Sequence, residues 1–167
     1  MKILQLCCFT NLWGTSHEVY SIDLRLKRNI FDYPWNYGKN FDLVCAAPPC
    51  DQYTKANNQN WLPDPVLFNA VTAKCLQICQ SSGLIWFLEN PPGRIETFFP
   101  ALTPFRIKTW NGNVTKKEYV IYSNSLMLFP VNHRYQGTGT ISNLTKKQRE
   151  RWQPDFIQDV MQALDLS

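Results

Sequence analysis

Two apolar runs in this chain each stop at a pair of prolines: "FDLVCAAPPC" at 41–50 and "LIWFLENPPG" at 84–93. Proline has no backbone N–H, and it pushes the residue before it out of the helical region. A short continuous apolar run closed in this way reads as a buried strand. Each strand must therefore end at a stiff turn, and each turn carries reactive side chains: Cys50 on one, Glu89 and Asn90 beside the other. Between them, "DPVLFNAVTAKCLQICQSSG" (64–83) has helical spacing, with Leu67, Val71, Cys75 and Ile78 on one face. Asp64 suits its N-cap, Pro65 its first turn and Gly83 its end.

Further strands are expected at "KILQLC" (2–7), "EVYSID" (18–23), "NIFDY" (29–33), "FRIKTW" (105–110) and "EYVIYSN" (118–124). The turn "NGNVTKK" joins the last two as a hairpin. The tail "TKKQRERWQPDFIQDVMQALDL" reads as a basic helical turn, a break at Pro154 and a short amphipathic helix. Near-continuous apolar strands separated by a helix or loops imply an α/β fold: a doubly wound, mostly parallel sheet with an antiparallel last strand. In such sheets ligands bind at the carboxyl ends of the strands. Cys8 and Phe9 follow the first strand, Asp23 ends the second, Pro48 to Thr54 follow the "LVCAA" strand, and Glu89 to Arg94 follow the next. One edge of the sheet thus gathers the unusual residues.

With 167 residues, the chain suits a single domain with its own core. Hydrophobic content of 44% excludes a disordered chain, and no apolar run reaches the roughly 18 residues that a membrane span needs. "MKILQLCCFTN" lacks a small-residue cleavage site and reads as a first strand rather than a signal peptide. The six cysteines, without a secretory signal, point to a reduced cytoplasmic protein. Cys75 and Cys79 are four apart, but no histidine or second cysteine pair completes a zinc site, so no metal is expected. A net charge of +4 permits nucleic-acid binding without demanding it. The basic residues cluster at Arg25, Lys27 and Arg28, at Lys116 and Lys117, and at Lys146, Lys147, Arg149 and Arg151.

A thiol on a proline-stiffened turn is positioned rather than packed, and as a thiolate it is a nucleophile. A carboxyl at the end of an apolar strand, as at Glu89, has its pKa raised by partial burial and can hold a proton near neutrality. A thiolate beside such an acid suits conjugate addition to a pyrimidine: sulfur attacks carbon 6, the acid serves ring nitrogen 3, and carbon 5 becomes nucleophilic.

These two loops resemble those of the DNA cytosine-5 methyltransferases, especially their short phage-type relatives. "APPCDQYTKA" is similar to the family's Pro-Pro-Cys-x-x-[Phe/Tyr]-[Ser/Thr] loop, and "FLENPPG" to its Glu-Asn motif. "ILQLCC" with "HEVYSID" resembles the start of the cofactor half, "KEYVIYSNSLMLFP" a late strand and "RERWQPDF" the closing helix. The likeness implies a Rossmann-like methyltransferase sheet that transfers methyl from S-adenosylmethionine to carbon 5 of cytosine in DNA. It makes Cys50 the implied nucleophile and Glu89 the implied acid. Cys8, Phe9, Asp23, Asn29 and Pro48 become the implied cofactor residues, with Asp23 on the ribose hydroxyls and Asn29 at the adenine amino group. Thr54, Asn90, Lys116 and Lys117 are the implied substrate contacts. A virus-encoded protein in a host cell fits the phage-type likeness.

The pattern breaks in the cofactor half. Phe9 and Asn11 stand where glycines are expected, and only "FTNLWGTS" separates Cys8 from His17. The Gln-x-Arg-x-Arg motif has no clean match, and no segment is long enough for a separate target-recognition domain, which leaves recognition to a protein partner or to a short site. Two other readings stay open: a pyrimidine-modifying enzyme with another donor, acting on DNA, RNA or a nucleotide, and a non-catalytic methyltransferase-fold binder of nucleic acid or a partner.

Overall fold

Lys2–Leu6 (β1), Glu18–Ile22 (β2), Leu43–Ala46 (β3) and Ile85–Asn90 (β4) pair in parallel, in the order β2-β1-β3-β4. Arg106–Trp110 (β5) and Glu118–Ser123 (β6) extend the sheet to β2-β1-β3-β4-β6-β5. β6 runs antiparallel to both of its neighbours. The chain is therefore a mixed α/β sheet, mostly parallel, with the reversed last strand that the sequence pattern predicts. The computed structural model describes residues 1–8, 17–51, 53, 64–82, 84–110 and 118–125. The expected tail helix and its basic cluster, and most of the loop after Cys50, lie outside the described residues.

Both faces of the sheet are buried, which is why its strands read as continuous apolar runs. Leu4, Leu6, Val44, Ala46, Trp86, Leu88, Val120 and Tyr122 point to one face and join a single core with Cys75, Ile78 and Cys79. Ile3, Gln5, Cys45, Phe87, Ile121 and Ser123 alternate with them and are equally buried. Pro65–Ser81 (α1) carries the crossover from β3 to β4. Asp64 caps it as expected: its Oδ1 accepts from Val66 N at 3.0 Å and Leu67 N at 3.2 Å. Val66 and Leu67, in its first turn, are exposed, so the packed stripe runs instead through Thr72, Cys75, Ile78 and Cys79. Full burial of Ile78 contributes about 1.5–3 kcal/mol.

The segment 29–33 is not the strand its composition predicts. It forms a 3-10 turn, Ile30–Asp32, whose first N–H groups are met by the Asn29 side chain accepting from Phe31 N at 3.1 Å. β2 is the edge of the sheet, and this segment lies on the α1 side, with Ile30 in the core, where it has no strand to pair with. A second 3-10 turn, Tyr37–Asn40, approaches α1 so closely that a Cβ on Gly38 would fall against the carbonyl oxygen of Ile78. Tyr20, Tyr33, Tyr37 and Phe41 stack beside it with ring centroids 5.0–6.4 Å apart. Arg28, read from sequence as part of a basic cluster, lies over the Tyr20 ring at 4.4 Å and donates to Ser21 O at 2.9 Å. It serves this packing, whereas Arg25 and Lys27 are exposed. Among the described residues, no helix is long and apolar enough to cross a membrane.

Candidate active site

The strand order reverses between β1 and β3: from β1 the chain goes to β2 on one side, then crosses to β3 on the other. A crevice opens outside the carboxyl ends of strands at such a point. Here the strand ends are locked together by backbone. Cys7 N donates to Ile22 O at 2.8 Å and Ala47 N donates to Leu6 O at 2.9 Å. Cys7 itself adopts a left-handed conformation, φ 56°, which is uncommon for a residue with a Cβ.

That twist sends the two adjacent cysteines in different directions. The Cys7 sulfur lies 3.7 Å from that of Cys75 on α1. The Cys8 sulfur instead donates to Leu6 O at 3.4 Å. Burial, and then the charges of Cys45, Cys7, Glu89 and Asp23, push the Cys8 thiol well above its ordinary pKa. Cys8 is thus a neutral thiol.

Asp23 is half-buried, and its Oδ1 accepts from Arg25 N at 2.8 Å, capping the 3-10 turn Leu24–Leu26. Asn29 is exposed, and its carbonyl is engaged with Phe31 N, leaving one lone pair for another donor.

On the other side of the switch point the Cys50 loop leaves β3. Pro48 is buried and Cys50 is half-buried. Leu88 pairs with Ala46, so Glu89 and Asn90 stand beside the start of this loop. Glu89 is 7% exposed and faces the same side as Cys45; Asn90 is wholly buried on the other face. Asn90 Nδ2 donates to Pro48 O at 3.2 Å and so ties the Glu-Asn strand end to the proline turn. Its Oδ1 is buried and makes no hydrogen bond among the described residues.

The structure thus places Cys8, Asp23 and Glu89 at or just past the ends of β1, β2 and β4, on one edge of the sheet, and ties Asn90 to Pro48 at the start of the Cys50 loop. Phe9, Thr54, Lys116 and Lys117 lie outside the described residues. Sequence reasoning matched Tyr53 as the aromatic position of the Cys50 loop motif but gave it no role; its N–H donates to Cys50 O at 2.9 Å and its carbonyl accepts from Arg94 N at 2.8 Å. A tyrosine three residues after Cys50, in an otherwise polar loop, was the available signal. Sequence reasoning missed Cys7, because a left-handed turn is ordinarily announced by glycine. Compared with known proteins, the chain matches no family model and no curated protein.

Proposed function

We propose that this protein is an S-adenosylmethionine-dependent enzyme that methylates carbon 5 of cytosine in DNA, on a doubly wound Rossmann-like sheet. The observation that carries the reading is the Asn90–Pro48 hydrogen bond, 3.2 Å, which ties the Glu89-Asn90 strand end to the loop bearing Cys50. A nucleophile and an acid on neighbouring strand ends are what addition to a pyrimidine requires.

Cys50, as a thiolate, forms a bond to carbon 6 of a cytosine flipped out of the duplex. The carbon 5–carbon 6 pair shifts to a carbon 4–carbon 5 double bond, the carbon 4–nitrogen 3 pair moves onto nitrogen 3, and nitrogen 3 takes a proton from Glu89. Carbon 5 is then an enamine carbon with nucleophilic character. Once carbon 5 is substituted, the carbon 4–nitrogen 3 double bond is restored; loss of the carbon 5 proton to water then re-forms the carbon 5–carbon 6 double bond and expels Cys50 as thiolate, and nitrogen 3 returns its proton to Glu89. S-adenosylmethionine, when bound, supplies an electrophilic methyl group.

The residues present fit that donor in part of its length. Asp23 has a carboxylate oxygen with no hydrogen bond among the described residues, which suits a ribose hydroxyl. The Cys7 turn follows β1 at the topological switch point, where open α/β sheets bind such ligands. Asn29, with its remaining lone pair, suits the adenine amino group.

The test is calorimetric titration with S-adenosylmethionine and its demethylated product, followed by transfer of labelled methyl to cytosine-containing DNA. Micromolar donor binding with transfer that disappears in Cys50→Ala supports the reading. A folded protein that binds neither compound removes it.

A further inference from the structure

We propose that Tyr53 is the positioning residue for Cys50, a pin that holds the Cys50 loop against both α1 and the segment after β4. This inference rests on the reading of Cys50 as the nucleophile. Tyr53 is the one large side chain of the loop that is described, and it is 0% exposed although its neighbour Asp51 is exposed. A tyrosine withdrawn from water on a surface loop has to satisfy its hydroxyl. It does so on α1, with Asn69 Oδ1 at 2.8 Å, Thr72 Oγ1 at 3.0 Å and Phe68 O at 3.4 Å. The hydroxyl is the donor toward all three, and its one proton has Asn69 Oδ1 as the shortest acceptor. Thr72 is itself wholly buried, so this pair is enclosed.

The backbone of the same residue works in two further directions. Its N–H closes a turn on Cys50 O, and its carbonyl takes the N–H of Arg94, four residues after Asn90. Its ring lies 5.8 Å from that of Phe98 in the short helix Ile95–Phe98 (α2). The contacts with α1, Arg94 and Phe98 lead to parts of the fold outside the loop, and the turn on Cys50 O carries that hold to Cys50. Asn90 holds the loop at Pro48, before Cys50, and Tyr53 holds it after Cys50. A thiol between two such anchors is confined to a narrow range of positions, which matters because reacting atoms misplaced by about 1 Å can lose a hundredfold in rate. The aromatic ring alone does not supply this; the hydroxyl anchors it to α1, and Tyr53→Phe removes that anchor while keeping the ring.

The experiment compares the full chain with Tyr53→Phe, under conditions where thermal melting shows both folded. Two rates are read at Cys50. One is alkylation by iodoacetamide, followed by mass spectrometry of the Cys50 peptide. The other is adduct formation with an oligonucleotide carrying a 2-pyrimidinone base, which accepts a thiolate at carbon 6 without any methyl donor. The expected result is a split: alkylation rises about tenfold as the loop loosens, and adduct formation falls about tenfold as the thiol loses its alignment. Thr72→Ala, which removes the partner from the helix side, should move both rates in the same directions and serves if Tyr53→Phe does not fold. Unchanged alkylation at Cys50, with only a lowered melting temperature, overturns the proposal and leaves Tyr53 as ordinary packing. If alkylation rises in the variant but neither protein forms the adduct, the pin stands and the pyrimidine reading falls.

Discussion

The ends of β1 and β2 and the ends of β3 and β4 lie along the same edge of the sheet but are built differently. The β3–β4 side is cross-tied by side chains: Asn90 to Pro48, and Tyr53 to α1, with a backbone link from Tyr53 to Arg94. The β1–β2 side is held by a backbone bond from the left-handed Cys7 and the contact of its sulfur with Cys75, and its polar side chains, Asp23 and Asn29, are used to cap 3-10 turns. Where chemistry is proposed, the loop is anchored from several elements. Where the donor is proposed, local caps do the holding. Atom positions at a reacting centre tolerate less error than contacts to a bound ligand's periphery, and the two sides differ in that sense.

The sharpest way to break this comparison is to disable each side alone. Cys50→Ala should abolish both adduct formation on 2-pyrimidinone DNA and methyl transfer, and leave S-adenosylmethionine affinity unchanged by calorimetry. Asp23→Ala should do the reverse, weakening donor binding by about tenfold or more while adduct formation persists. A Cys50→Ala protein that also lost donor binding would mean that the two sides are one structural unit.

Within the β3–β4 side, Glu89→Gln keeps the shape and removes the acid. We expect the adduct rate to fall by about 10²–10⁴-fold, the range for a positioned general acid. A fall of less than tenfold would take Glu89 out of the proton transfer and leave it as a buried strand end.

Stability under alkali probes what lies beneath the crevice. Cys8, Cys45, Cys75 and Cys79 are buried, and burial first of all pushes each thiol up from its ordinary value of 9.0. A raised pKa in the folded chain means that the unfolded chain releases protons first. Stability is therefore full below about pH 9 and falls as pH rises above it, by about 1.4 kcal/mol per pH unit for each thiol. Urea melts from pH 8 to 10.5 should show this steep loss, and Cys8→Ala should make it shallower. Equal slopes in the two proteins would place Cys8 in water rather than in the core.

Asn90→Ala measures the tie itself. Loss of the bond to Pro48 from a wholly buried amide should cost about 1–3 kcal/mol in chemical denaturation. Adduct formation should fall further than that loss of stability explains, because the proline turn is freed.

The two sides also differ in how legible they are in the sequence. The Pro-Pro pairs mark where β3 and β4 end, since proline offers no ladder donor, and the register then places Glu89 and Asn90 beside Pro48 without further information. The end of β1 is obscure for the opposite reason. Cys7 takes a glycine's conformation, and nothing local in "LCC" signals a left-handed residue. Segment 29–33 is rich in strand formers, yet a strand needs a neighbour, and the neighbour is a tertiary fact; the cap from Asn29 prevails. Tyr53 was visible as a residue but not as an anchor, because its partners Asn69 and Thr72 become neighbours only once α1 has packed.

Asn29 gives the smallest effect and the finest division of the donor side. Its carbonyl already serves Phe31 N, so Asn29→Ala would mix loss of the cap with loss of any ligand contact. Asn29→Ser separates them. Serine keeps a cap oxygen, and the melting temperature should stay within a degree or two, by the near-equivalence of the two residues as caps. Its hydroxyl is too short to serve the cap and an adenine amino group together. One net hydrogen bond of about 0.5–1.5 kcal/mol predicts a weakening of S-adenosylmethionine binding by roughly twofold to tenfold. S-inosylhomocysteine, in which an oxygen replaces that amino group, should bind wild type and variant alike, because it has no proton there to donate to Asn29. If S-adenosylmethionine also binds both proteins equally, Asn29 is a cap alone, and Asp23 is left as the side chain that distinguishes the donor side from an ordinary strand end.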